Sequence, residues 1–350
     1  MPDCGSQIVL CDVPIRFDTY KGCSHGCKYC FVYRKYNISK IKKAEGKEAL
    51  ISFIKGKRAQ ETSWCDWNIP LHWGGVSDPF QHIERKMKNS LDCLKVLAKT
   101  KYPFIVSTKS ILPQEEPYFS LFKQCNCVLQ VSLVCKTLQE KFELNTPTFD
   151  ERLKFLKKMS KAVKRLVVRC QPYIIDYHKE IRENIKKYAQ AGVYGVIFEA
   201  IKFQKSSKGL VQIGNDFCYP NEILKNKFLD LKEECHKYGL KFLSGENRFR
   251  NMGDSLSCCG FEGLKGFEGN KYNLNYKIHN DKDLKATAAM ENKGSAYCFK
   301  AMHQKAGSHK LWKKLSFKEV MDSVFCNKSY VHSYLGIENG KHKKYRKAQV

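Results

Sequence analysis

RLVVRCQPYIIDYHKEIRENIKKYAQAGVYGVIFEAI, residues 165–201, decides the fold of this chain. Residues 165–175 are mostly apolar, with the β-branched Val167, Val168, Ile174 and Ile175 among them, as suits a strand covered on both faces. Residues 180–191 read as a helix, and residues 192–201 return to a strand ending in Ile201. The connections are short, so the two strands run parallel with the helix lying outside them.

The same unit recurs on either side. Strands are expected over 69–74, 104–110, 128–134 and 240–246. Helices are expected over 84–98, 118–122, 150–163 and 221–238. In the first of these helices Met87, Leu91, Leu94 and Leu97 share a face. Thr148 or Asp150 can cap the third. Six β-α units are fewer than the eight of a closed barrel, so the fold class is α/β, a partial (β/α)6 barrel. Chemistry belongs at the C-terminal ends of its strands. After residue 246 the periodicity stops and Gly, Asn and aromatic residues dominate. The expected organisation is an N-terminal segment (1–16), the barrel (17–246), and a basic, cysteine-containing C-terminal extension (247–350) with one more helix over 311–324.

Composition narrows the function. The chain has 350 residues, 43% of them hydrophobic, enough for a sizeable core. No apolar run approaches the ~20 residues of a membrane span. The N-terminus lacks the basic start and apolar stretch of a signal peptide. A soluble, cytoplasmic protein is expected, with no membrane partner. Seventeen cysteines in such a chain read as reduced thiols. Cys93, Cys125, Cys127, Cys135, Cys170 and Cys235 lie in or beside apolar segments, where cysteine serves as a small buried side chain. The formal charge is +27. Basic residues crowd residues 34–58 and the tail 341–347. Such an excess attracts phosphates and points to a nucleic acid or another acidic partner. Most of it is lysine, which lacks the forked geometry for reading bases.

The sharpest motif is KGCSHGCKYCFVY, residues 21–33. Cys23, Cys27 and Cys30 are spaced C-x3-C-x2-C. Structural zinc takes four ligands, commonly from paired knuckles, and no second pair lies nearby. His25 could serve as a fourth ligand, though it sits inside the tight loop. Alternatively, three thiolates hold three irons of a [4Fe–4S] cluster and leave the fourth iron open for a small ligand.

GCSHGCKYCF resembles the radical S-adenosylmethionine (SAM) superfamily. Together with WGGVSDPFQHIERK, STKS and VSL downstream, it resembles the spore photoproduct lyase group and its DNA repair photolyase-like relatives, over residues 17–245. The resemblance implies that Cys23, Cys27 and Cys30 ligate a [4Fe–4S] cluster whose unique iron binds the methionyl end of SAM. It implies Phe31 near the adenine and close backbone approach at Gly74 and Gly75. It further implies contacts to SAM from Ser77, Asp78, Lys109 and Ser132. Reductive cleavage of SAM would yield a 5′-deoxyadenosyl radical that abstracts hydrogen from a substrate. The electron would come from a flavodoxin, a ferredoxin or a chemical reductant. On the residues alone, Asp78 could instead open a turn and Ser132 could fill a strand.

The pattern departs from the lyase at one place. The lyase carries a hydrogen-donating cysteine just ahead of the Ser-Asp pair, and here Gly75 and Val76 stand there. A different substrate is therefore expected, with modification or repair of a nucleic acid base as the leading reading. A peptide or small metabolite is the alternative substrate. A non-catalytic zinc- and nucleic-acid-binding protein is the alternative class. Cys258, Cys259, Cys298 and Cys326 could hold a second iron–sulfur cluster, or Cys258 or Cys259 could donate hydrogen. Arg169, Gln171, Glu199 and Glu246 lie near strand ends as candidates for substrate or SAM contact, or as paired core residues.

Overall fold

A computed structural model describes residues 11–13, 15–32, 40–55, 69–213 and 216–269. Seven parallel strands form its central sheet. In chain order these are β1 (Arg16–Phe17), β4 (Leu71–Trp73), β5 (Phe104–Thr108), β6 (Cys127–Ser132), β7 (Arg165–Tyr173), β8 (Gly195–Ala200) and β11 (Lys241–Ser244), and they pair in that same order. Two small antiparallel pairs complete the strands: β2 (Tyr20–Lys21) with β3 (Lys42–Lys43), and β9 (Val211–Ile213) with β10 (Asp216–Cys218). The helices are α1 (Lys47–Lys55), α2 (Glu84–Met87), α3 (Asn89–Thr100), α4 (Tyr118–Gln124), α5 (Lys136–Phe142), α6 (Phe149–Met159), α7 (His178–Gln190) and α8 (Asn221–Lys237).

All six strands expected from the sequence are present. The seventh is β1, which pairs with β4 at the sheet edge. Two residues are too few to show a period, so the sheet is one strand wider than its apolar pattern suggests.

The expected helix over 84–98 is two helices. Lys88 takes a left-handed φ of 51° and breaks it. The cause lies in Glu84, which is fully buried. Its carboxylate accepts from Ser90 N (2.9 Å) and Leu91 N (2.8 Å), filling the otherwise orphaned amides that open α3. Tyr118 Oη donates to it at 2.8 Å, and Tyr20 Oη donates from the other side. A continuous helix would carry this carboxylate away from those amides. Helix α6 begins at a capping box, with Thr148 rather than Asp150 as the cap. The helices α1 and α5 and the two antiparallel pairs were not expected. The predicted helix over 311–324 lies outside the described residues.

The sheet has a chemical difference between its faces, set by the period of two along each strand. Trp73, Phe104, Leu129, Val168 and Phe198 face the helices and form the main core. Ile105, Val128, Val167, Ile197 and Leu243 face inward and form a second cluster with Val13, Cys259, Phe261 and Phe267. Residues 257–267 of the C-terminal segment thus cover the inner face of the sheet. Gly260 makes this possible. Its φ is +74°, and a Cβ there would stand 2.8 Å from Val167 Cγ2. Gln130 Nε2 donates to Cys259 O (3.1 Å), and Arg165 Nη1 donates to Gly260 O (2.9 Å) and Glu262 O (2.8 Å).

Candidate active site

Because the strands of the sheet are parallel, the loops that follow them gather at one edge. The three-cysteine loop follows β1 and β2, residues 74–81 follow β4, Lys109 follows β5, and Ser132 ends β6. This edge brings together the residues that the sequence reading singled out.

The loop after β4 holds the cysteine loop from one side. Gln81, fully buried, spans its backbone: Nε2 donates to Gly22 O (2.9 Å) and Oε1 accepts from Ser24 N (2.7 Å). Ser77 Oγ donates to Tyr20 O at 2.7 Å. Asp78 Oδ2 contacts His25 Nε2 (3.1 Å) and accepts from Lys109 N (2.6 Å). Asp78 Oδ1 accepts from Thr108 Oγ1 (2.8 Å) and Phe80 N (2.9 Å). Burial alone would raise the Asp78 pKa. His25 and the amides outweigh burial and hold it below the ordinary carboxylate value. The side chains of Ser77 and Asp78 are thus engaged with the protein itself. The sequence pattern had suggested contacts to SAM at both.

The other ring nitrogen of His25, Nδ1, contacts Asn145 O at 3.2 Å. Both nitrogens are occupied, so His25 orients the loop and is not disposed to act as a fourth metal ligand. Cys23, Cys27 and Cys30 form no disulfide. Cys27 is buried and the other two are partly buried. Burial pushes the Cys23 thiol up to about 12 and Cys27 up to about 11. A bound cation would be needed to hold them as thiolates at neutral pH.

The second anchor of the loop lies beyond β6. Lys28 N donates to Phe142 O (2.9 Å), and Tyr29 Oη donates to Glu143. Glu143 Oε2 pairs with Arg152 Nη2 at 2.6 Å, and Arg152 Nη1 donates to Ser132 O at 2.7 Å. Arg152 is fully buried. Lys109 Nζ lies over the Tyr29 ring, 5.7 Å from its centroid. Burial opposes the charge on Lys109, but Glu143 and Cys27 hold its pKa above the ordinary lysine value. Phe31, directly after the last cysteine, is 53% exposed. Gly74 has φ +85°, and a Cβ there would meet Ser107 O at 2.6 Å, so only glycine fits. Gly75 faces the Arg16 side chain with ordinary clearance.

Asp18 supports the same loop from below. Its Oδ1 accepts from Val76 N (3.2 Å) and Ser77 N (3.1 Å). Desolvation raises its pKa to about 7 despite these amides. A carboxyl raised in this way favours the folded state when protonated. Its contribution is complete below the unfolded value near 3.9 and is lost as pH rises through about 7. Asp18→Asn keeps an acceptor for both amides and removes this titration. Its melting temperature should rise relative to wild type at pH 8 and not at pH 4. Parallel melting curves for the two proteins at pH 4 and 8 check this, and an equal shift at both would contradict it.

Further along the inner face, Arg169 Nη2 pairs with Glu199 Oε2 (3.0 Å), and its Nε donates to Gln171 Oε1. Arg169 Nη1 reaches Gln130 Oε1 (3.4 Å), and Lys202 Nζ reaches Glu199 Oε1 (3.4 Å). Arg169, Gln171 and Glu199 therefore form one network. Glu246 stands apart, paired with Arg248 at 3.4 Å. Sequence reading missed Asp18, Tyr29, Gln81, Glu143 and Arg152. Gln81, three residues past Asp78 in the same motif, and Tyr29, between the second and third cysteines, carried a local signal. Cys298 and Cys326 lie outside the described residues.

No family model matches the chain. Uncharacterized proteins of Mycobacterium tuberculosis and Mycobacterium bovis are 23% identical over 212 residues. The match takes in 56% of this chain, and the chain spans 62% of the length of these relatives. Spore photoproduct lyase complexed with dinucleoside spore photoproduct superposes with a TM-score of 0.53 at 16% identity, covering 68% of this chain and 79% of the lyase. A mutant lyase with the same dinucleoside gives 0.54 at 15% identity, covering 69% and 78%. The radical S-adenosylmethionine methyltransferase TsrM from Kitasatospora setae, with a TM-score of 0.46 at 9% identity over 75% of this chain and 61% of its own, is more distant. The fold is an α/β architecture of the radical SAM type, shared with spore photoproduct lyase. No helix among the described residues is long and apolar enough to cross a membrane.

Proposed function

We propose that this chain is a radical SAM enzyme acting on a nucleic acid base, with Cys23, Cys27 and Cys30 as the ligands of a [4Fe–4S] cluster. One observation carries the reading. The cysteine loop is fixed from two sides, and the neighbouring histidine is held by Asp78 and Asn145. The protein thus offers three ligands, in keeping with a site that leaves one iron open. When bound, the cluster and SAM supply an electron and a 5′-deoxyadenosyl radical for C–H abstraction.

The residues of this chain divide into two roles. Gln81, Asp78, His25 and Ser77 position the loop. Phe31 presents an exposed aromatic face suited to adenine. The backbone at Gly74 and Gly75 can be approached closely by an amino group. Lys109 offers an ammonium for the carboxylate of SAM, and Ser132 a hydroxyl at the end of β6. Arg169, Gln171 and Glu199 present a polar wall to the substrate from the inner face. An electron donor such as flavodoxin or ferredoxin belongs to this reading, as does a cytoplasmic setting.

The substrate class rests on charge beside the site. Lys21, Lys40, Lys42, Lys43 and Lys47 are exposed on and around the β2–β3 pair, next to the cysteine loop. That surface suits a phosphate backbone. Affinity for DNA or RNA should fall steeply with salt. Lys42→Glu with Lys43→Glu should flatten the slope of log K against log salt by about 2. Binding that ignores salt and these substitutions would remove nucleic acid and leave a peptide or metabolite. Deuterium carried from a labelled oligonucleotide into 5′-deoxyadenosine identifies the substrate itself.

A further inference from the structure

A second donor set lies away from the cysteine loop, where the two ends of the described chain meet. The ligand atoms of Asp12, Cys258 and Cys259 all lie within 4.8 Å of one another. Cys258 Sγ and Cys259 Sγ are 3.8 Å apart. Cys11 lies beside this set, its Sγ 4.0 Å from Asp12 Oδ1, but its thiol is turned to the Val13 backbone, 3.4 Å from both Val13 O and Val13 N. All three thiols are free. Cys259 is buried and the other three residues are partly buried.

The sulfur separation is informative. It is far longer than the S–S bond of a disulfide, about 2.0 Å. Two thiolates on one tetrahedral ion, with metal–sulfur bonds of about 2.3 Å, stand about 3.8 Å apart. On a four-iron cluster each thiolate binds its own iron, which places the sulfurs much further from each other. Adjacent cysteines at this spacing therefore suit one ion and not a cubane. Such a set carries an excess of negative charge. Arg250 hydrogen-bonds to Cys258, and Arg169 lies in the same field. Ser257 hydrogen-bonds to the Asp12 carboxylate and orients it, as an outer-shell partner does.

We propose that Asp12, Cys258 and Cys259 bind a single zinc ion. The ion ties residues 11–13 to residues 257–259 on the inner face of the sheet. Val13 and Cys259 already pack there against Ile105, Val128, Val167, Ile197 and Leu243. The site would hold together two segments far apart in sequence, each with little local structure of its own. It does not depend on what Cys23, Cys27 and Cys30 bind.

The test uses the full chain carrying Cys23→Ala, Cys27→Ala and Cys30→Ala, so that metal bound elsewhere is read alone. It should purify with about one zinc per chain. Adding Cys258→Ser and Cys259→Ser should remove that zinc, and Asp12→Ala should weaken its retention against a chelator at least tenfold. Growth in cobalt should give the parent chain the intense near-ultraviolet thiolate-to-cobalt band of a tetrahedral site. That spectrum decides the matter if the doubly substituted chain does not fold. A parent chain without zinc would overturn the proposal. So would a weak, octahedral cobalt spectrum, or a Cys258–Cys259 disulfide found by mass in place of metal.

Discussion

Cys30→Ala should reduce the cleavage of SAM to 5′-deoxyadenosine, in dithionite-reduced protein, to background. Cys30 closes the turn of the cysteine loop through its amide, which donates to Cys27 O at 3.0 Å. That bond survives truncation of the side chain. The loop also keeps its outside supports, from Gln81 to Gly22 and Ser24 and from Phe142 O to Lys28 N. The substitution therefore removes a ligand and leaves the scaffold. Circular dichroism should match wild type while iron and acid-labile sulfide fall. Retention of full cleavage by this variant would exclude Cys30 as a ligand. Loss of folded structure would instead show that the loop depends on metal for its stability.

Arg152→Ala should be the most damaging single substitution away from the cysteines. The guanidinium is fully buried and bridges Glu143 and Ser132 O. Removing it strands the Glu143 carboxylate in the interior, at a cost of about 3–5 kcal/mol. For a folded unit of this size that corresponds to a fall in melting temperature of roughly 10 °C. Arg152→Met combined with Glu143→Gln should recover part of the loss, because both charges of the pair are then removed, while the buried Lys109 loses the carboxylate that helps to hold it charged. The pair also sets an acid limit. Burial alone would raise the Glu143 pKa, but Arg152 and Lys109 hold it below the ordinary value. Its stabilisation is present above the unfolded value near 4.3 and is lost as pH falls through the folded one. Chemical denaturation of the three proteins at pH 7 and pH 3 checks both statements. A single variant as stable as wild type at pH 7 would contradict the account of the pair.

Much of the fold was legible because strands of a parallel sheet are buried on both faces. The runs at 128–134 and 165–175 have no other reading in a chain of this composition. The parts that were hidden have physical reasons. β1 is two residues long and shows no period. The break at Lys88 is invisible because Met87, Leu91 and Leu94 continue one helical face across it. What breaks the helix is a fully buried Glu84 whose carboxylate caps α3, and no pattern of apolar residues announces that. In the candidate site, spacing singled out Cys23, Cys27 and Cys30, and the motif around Ser77 and Asp78 marked a loop that packs against theirs. It did not tell that those two side chains hold the cysteine loop. Glu143 and Arg152 meet across the junction of α5 and α6, and Asp12 meets Cys258 and Cys259 from far along the chain. Contacts of that kind come from the three-dimensional fold and leave no local trace.

The open iron is the centre of the account, and electron paramagnetic resonance tests it most directly. Anaerobically prepared, reduced protein should show the spectrum of a single [4Fe–4S]+ cluster, and adding SAM should shift its g values as the ligand takes the open iron. Zinc without iron, or a cluster spectrum that SAM leaves unchanged, would contradict it.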